Sequence, residues 1–211
     1  MKKFYCFSHT FKRSCIEILP DRKIEGDFLS TYLDAGLPSS KNRLPESLVF
    51  HIAACKKEYD IIGTHNCWTV IFFSDNLISI LKQFTDMTDK CYRINLPGVD
   101  KEYYNIYNLS TYPRINRREV DAYPSILSEW PPVRFVLGKE DLGPIFSAST
   151  TAWIIVSEEI MKAMKKAKLT NIEFEEAYGY TPEEALEWAQ ANPEFADDFA
   201  DKPWFKKLLD K

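Results

Sequence analysis

The sequence predicts an α+β fold with mixed sheets, and three features carry that expectation. Short β-branched and aromatic runs recur along most of the chain, as buried strands require. Two of these runs end in the same grammar of Ser, acid and amphipathic helix. Phe72-Phe73-Ser74-Asp75-Asn76-Leu77 lies over Ile155-Val156-Ser157-Glu158-Glu159-Ile160. The last forty residues then change character and read as an acidic helical segment.

Taken in order, Lys3–His9 reads as a strand and Cys15–Leu19 alternates in a way that allows it to pair. Residues 20–47 are punctuated by Pro, Ser, Asp and Gly and read as a long irregular connection. Leu48–Ala54 is an apolar run, either a buried strand or a short helix, and Tyr59–Ile62 is too short to assign. Trp68–Phe73 reads as a buried strand. Ser74 caps the following helix, whose Leu77, Ile78, Leu81 and Phe84 recur at helical spacing. Tyr92–Leu96 and Glu102–Leu109 read as strands joined through the turn signal Pro97-Gly98. Four prolines break up residues 110–132. Val133–Leu137 is a strand and Gly138–Ser149 a connection. Trp153–Val156 is a strand, and Ser157 opens a helix with Ile160, Ala163, Met164 and Ala167 on one stripe. Glutamates begin that helix and lysines end it, which suits the macrodipole. Ile172–Phe174 returns as a strand. Thr181-Pro182-Glu183-Glu184 starts another helix, Asn192-Pro193 stops it, and Glu194–Ala200 and Pro203–Leu209 suggest two more. The expected organisation is an α+β domain over 1–176, with halves 1–97 and 98–176, and a docked tail over 177–211. The shared grammar of the two units fits either an old duplication or convergence on helix capping.

Composition narrows the function classes. The 211 residues are 45% hydrophobic and 27% charged, which excludes a mostly disordered chain. No apolar run approaches the ~20 residues that cross a bilayer, and Lys12 and Arg13 end the N-terminal apolar run too soon for a signal h-region. The expected compartment is the cytoplasm, where five cysteines without a CxxC pair stay reduced. A net charge of −4 offers no general phosphate-binding face. Only 7 glycines are present, and neither GxGxxG nor GxxxxGK[ST] occurs. Residues 172–211 hold eleven acids against four bases, a net of −7, which leaves +3 for the rest.

Candidate chemistry is sparse. His65-x-Cys67 with Cys55 upstream is the nearest approach to a metal cluster, and the same residues could serve a thiol-dependent enzyme. Structural zinc wants four ligands in close pairs, so ordinary packed side chains are the simpler reading. The pairs Glu158-Glu159, Glu175-Glu176, Glu183-Glu184 and Asp197-Asp198 suit helix capping and solvation better than an enclosed acid–base site. Arg114, Arg117 and Arg118 beside Tyr112 could contact phosphate but also suit a solvated face. The tail is distinctive because acids interleave with Trp188, Phe195, Phe199, Trp204 and Phe205. Such a segment suits docking onto a basic protein, or simply caps its own domain.

One stretch resembles a known family. Val133-Arg134-Phe135-Val136-Leu137 is followed by Lys139-Glu140-Asp141-Leu142-Gly143-Pro144-Ile145-Phe146. Ile154-Ile155-Val156-Ser157-Glu158-Glu159-Ile160 and Leu169-Thr170-Asn171-Ile172-Glu173-Phe174 come next. The pattern, over roughly residues 90–176, resembles the C-terminal half of bacterial immunity proteins from polymorphic-toxin systems, contact-dependent or secreted. It departs in having Asn171 where Gly is usual, a longer proline-rich 110–132 segment, and the acidic tail. The resemblance implies a cytoplasmic protein with no catalytic residues and no cofactor, which binds and neutralises a cognate toxin domain by stoichiometric occlusion. For a basic toxin, Glu183, Glu184, Glu187, Asp197 and Asp198 would meet its cationic surface, and Trp188 and Phe195 would anchor in it. Two other functions stay open: a small metal- or thiol-dependent enzyme using His65, Cys67 and Cys55, and a homo-oligomeric regulatory or scaffold protein.

Overall fold

The computed structural model describes residues 1–8, 15–20, 48–55, 57–64, 71–115, 132–138, 140–148, 154–193, 196 and 199–209. Its strands are β1 (Lys2–Ser8), β2 (Glu17–Pro20), β3 (Phe50–Ala54), β4 (Ile61–Thr64), β5 (Ile71–Ser74), β6 (Cys91–Arg93), β7 (Tyr103–Ile106), β8 (Thr111–Tyr112), β9 (Val133–Val136), β10 (Ile145–Ala148), β11 (Ile154–Val156) and β12 (Glu173–Tyr180). Its described helices are α1 (Asp75–Leu81), α2 (Glu158–Lys166), α3 (Pro182–Ala191) and α4 (Pro203–Leu209). The fold is α+β. No described helix is long and apolar enough to cross a membrane.

The strands form two six-stranded mixed sheets, ordered β3-β2-β4-β5-β7-β6 and β8-β10-β11-β1-β12-β9. Each sheet curls until its edges meet. In the first, Phe50 N donates to Asn95 O (2.8 Å) and Asn95 N to Leu48 O (2.9 Å), and Val49 bridges Asn95 in parallel. In the second, Ile115 N donates to Arg134 O (3.0 Å) and Val136 N to Pro113 O (2.9 Å), and Arg114 bridges Phe135 antiparallel. Closure turns each sheet into a small barrel and removes the open edges that would invite aggregation.

The two barrels share one design. From β2 through β4, β5, β7, β6 and β3, the pairings run parallel, antiparallel three times, then parallel, and β3 returns to β2 antiparallel. From β8 through β10, β11, β1, β12 and β9 the senses repeat in the same order. Register repeats as well. Ile62 faces Phe72 as Phe146 faces Ile155, and Ile18 pairs with Thr64 as Tyr112 pairs with Ala148. Strand alternation then sends matching residues inward. Ile18, Phe50, Ile62, Phe72, Ile94 and Tyr103 fill the first barrel, and Tyr112, Phe135, Phe146, Ile155, Ala177 and Phe4 the second. Barrels this narrow are packed rather than hollow. In the second, Phe4, Tyr112, Phe135 and Phe146 interlock, with Tyr112 and Phe146 edge to face at 4.9 Å.

The opposite face of each sheet meets a helix. Ser74 and Ser157 leave the twin strands and accept from Leu77 N and Ile160 N, capping α1 and α2. Leu77, Ile78 and Leu81 of α1 are buried at the same spacing as Ile160, Met161 and Met164 of α2. Both sets enter one core between the barrels, with Ile61, Ile71, Phe73, Ile145, Ile154 and Val156. An isolated seven- or nine-residue helix is unstable in water, so this shared burial, about 1.5–3 kcal/mol per large side chain, holds them.

Several sequence expectations shift. Ile145–Ala148 lies inside the expected 138–149 connection yet is a buried strand paired on both sides, because four residues are too few to show a period. The strand after α2 continues past Phe174 to Tyr180, because Glu173–Gly179 pair with β1 and Ala177–Tyr180 with β9. Sheet membership crosses the 97/98 cut, since β7 joins the first barrel and β1 the second. The expected connection over 20–47 lies outside the described residues from 21 to 47. The Trp68–Phe73 run is described only from Ile71, and most of Glu194–Ala200 also lies outside.

Candidate functional site

The acidic tail begins on a well-built helix start. Thr181 takes the N-cap dihedrals and its Oγ1 accepts from Glu184 N (3.2 Å), while Glu184 Oε2 accepts from Thr181 N (3.0 Å). This reciprocal box, with Pro182 in the first turn, fixes α3 against the end of β12. The other Glu184 oxygen pairs with the Met1 ammonium, which lowers the Glu184 pKa, helped by the Thr181 backbone N–H. Ala185 is buried, and Leu186, Trp188 and Ala189 pack with α4 over Ile115, Val136 and Tyr180 at the seam of the second barrel. Trp188 lies 6.3 Å from the Tyr180 ring, and the Arg134 guanidinium sits 5.1 Å over Trp188 and 5.8 Å over Tyr178.

The expected partner-binding residues therefore separate. Glu183 and Glu187 face solvent. Glu184 is committed to the cap and the N-terminus, and Trp188 is partly buried against Arg134. Phe195, Asp197 and Asp198 lie outside the described residues. Glu173, Glu175 and Glu176 on β12 add exposed carboxylates, of which Glu176 pairs with Lys3.

The thiol and metal candidates do not assemble within what is described. Cys55 is exposed at a positive φ of 59°, and His65 and Cys67 lie outside the described residues. Among the described residues no three His, Cys, Asp or Glu side chains group to hold a metal ion. Burial pushes the Cys6 thiol far up and Cys91 to about 11, so both stay protonated and weakly nucleophilic at neutral pH. The Arg114 backbone forms the barrel seam and its side chain is half-buried, and Arg117 and Arg118 lie outside the described residues.

A buried polar centre joins the barrels, and only part of it was visible in the sequence. Asp60 precedes β4 and is 4% exposed. Its Oδ1 accepts from Ser74 Oγ (2.8 Å) and Lys101 Nζ (2.7 Å), and its Oδ2 from Thr170 N and Oγ1 (both 2.7 Å). Burial alone would raise its pKa. The bonds from Lys101, Thr170 and Ser74 together outweigh that and bring it to about 2. Asn171 follows in the left-handed region at φ 60° and is buried, and its Nδ2 donates to Ile61 O (2.7 Å). The Leu169-Thr170-Asn171 element of the resemblance thus grips the other barrel. Ser74 and Thr170-Asn171 were legible as a cap and a helix end, whereas Asp60 carried no signal beyond a lone acid in a short apolar run.

Lys101 also borders an open cleft of about 540 Å³, lined by Arg93, Ile94, Asn95, Leu96, Val99, Asp100, Glu102 and Tyr103. Its charges are largely internally matched. Arg93 pairs with Glu102 (2.6 Å), and Glu58 accepts from the Asp100 and Lys101 backbone.

No family model matches the chain, and no curated protein matches it.

Proposed function

We propose that this protein binds and neutralises a cognate bacterial toxin domain by stoichiometric occlusion, without catalysis and without a cofactor, in the cytoplasm. The supporting observation is where the residues of the resemblance lie. Val133–Val136, Ile154–Ser157 and Glu173–Phe174 build the second barrel and its helix start, and Thr170-Asn171 locks that barrel to the first. The polar side chains at that junction are consumed by mutual hydrogen bonds, and the outward face of α3 carries Glu183 and Glu187. A rigid body with an exposed carboxylate face suits steering towards a basic partner.

The test is co-expression with the product of the adjacent upstream reading frame. A tight one-to-one complex together with restored growth is expected. A demonstrably toxic neighbour that forms no complex and is not relieved overturns the proposal. Glu183→Lys with Glu187→Lys should slow association at low salt, and an unchanged on-rate would remove the acidic face from the interface.

A further inference from the structure

The second barrel is assembled from two separate stretches of the chain, β1 (Lys2–Ser8) and β8 to β12 (Thr111–Tyr180). β1 fills the place between β11 and β12, facing Val156, Ile155 and Ile154 on one side and Gly179 through Glu173 on the other. Phe4 and Cys6 point into the barrel, and Tyr5 and Phe7 face the helix layer. In the first barrel the same place belongs to β7. Tyr103-Tyr104-Asn105-Ile106 and Phe4-Tyr5-Cys6-Phe7 share one burial order: buried, half-buried, buried, buried. β7 follows β6 through the Pro97-Gly98 turn, with Gly98 at φ 87°. At the corresponding point of the second barrel the chain leaves the sheet. β12 ends at Tyr180, Thr181 opens α3, and the Met1 ammonium lies on Glu184 of that helix.

We infer that β1 is the displaced closing strand of the second of two repeats, and that it acts as a latch. The whole first barrel is thereby inserted between the two pieces of the second. Neither barrel opens alone, because opening the second releases the strand that leads into the first, while the shared helix core and Asp60 couple them from the other side. The latch is independent of any toxin partner.

Native-state hydrogen exchange on the full-length protein, in rising sub-denaturing guanidinium, tests this. Peptides covering 2–8, 71–81, 154–166 and 173–180 should converge on one opening with one denaturant dependence. Separate, easier opening of 2–8 with 154–180 still protected would make β1 a peripheral strap and overturn the inference. Cys6→Ser sharpens the test, since it exchanges a buried thiol packed among the barrel's apolar side chains for a more polar hydroxyl. It should accelerate exchange about tenfold in 173–180 and equally in 71–74. Acceleration confined to the second barrel overturns the latch.

Discussion

Ser74 and Ser157 hold nearly the same dihedrals, φ −64°, ψ 158° and φ −66°, ψ 161°. Each backbone N–H donates to the residue before the preceding strand, to Asp60 O (2.8 Å) in one unit and Pro144 O (2.9 Å) in the other. Beyond the backbone the units part. Ser74 is fully buried and adds a bond from its hydroxyl to the Asp60 carboxylate. Proline can offer Ser157 no such acceptor. The comparison separates two kinds of determinant. Apolar pattern, a capping hydroxyl and surface charges that suit the helix dipole suffice to build the strand–helix unit, because the second unit is built with these and with no buried carboxylate among its described residues. Among the described residues the one buried carboxylate, Asp60, lies where one barrel grips the other.

The largest effects should show the likeness. Phe50→Ala and Phe135→Ala empty matching, fully buried barrel positions, and each should cost about 3–5 kcal/mol in guanidinium unfolding. Costs that differ by more than about 2 kcal/mol would break the equivalence. The next should show the difference. Asp60→Ala removes the acceptor of four bonds and strands the half-buried Lys101 ammonium, so a loss of about 3 kcal/mol is expected. Pro144→Ala at the twin position should stay within about 1 kcal/mol.

Titration provides a third comparison. The Asp60 carboxyl falls from 3.8 to about 2 on folding. A group depressed in the folded state contributes its full stabilisation above the unfolded pKa and loses it as pH falls through the folded one. About 2 kcal/mol should therefore disappear between pH 4 and 2, and Asp60→Asn should flatten that part of the stability–pH curve. An unchanged curve would mean that Asp60 is not the group responsible. The smallest contrast lies in the caps. Ser157→Ala should cost about 1 kcal/mol, and Ser74→Ala about 1 kcal/mol more, for its second partner. Equal losses would show that the Ser74 bond to Asp60 carries no weight.

Legibility followed the length of the signal. The two Ser-capped units were readable because capping chemistry and the i, i+3, i+4 stripe are local. The Thr181 box and the α3 start were readable for the same reason. β10 and the two-residue β8 were not, since so few residues show no period and are held by neighbours far along the chain. Trp188 reads as a free anchor in sequence, yet it lies under Arg134, a partner 54 positions away.

By itself the sequence determined the α+β class, the helix starts, the apolar faces and the acidic end, because each depends on chemistry within a few residues. Only the tertiary structure decided that both sheets close, that β1 stands where β7 stands in the other barrel, and that Asp60 meets Thr170. Those outcomes depend on pairing between distant strands, and on a carboxylate whose burial is tolerable only once Ser74, Lys101 and Thr170 surround it.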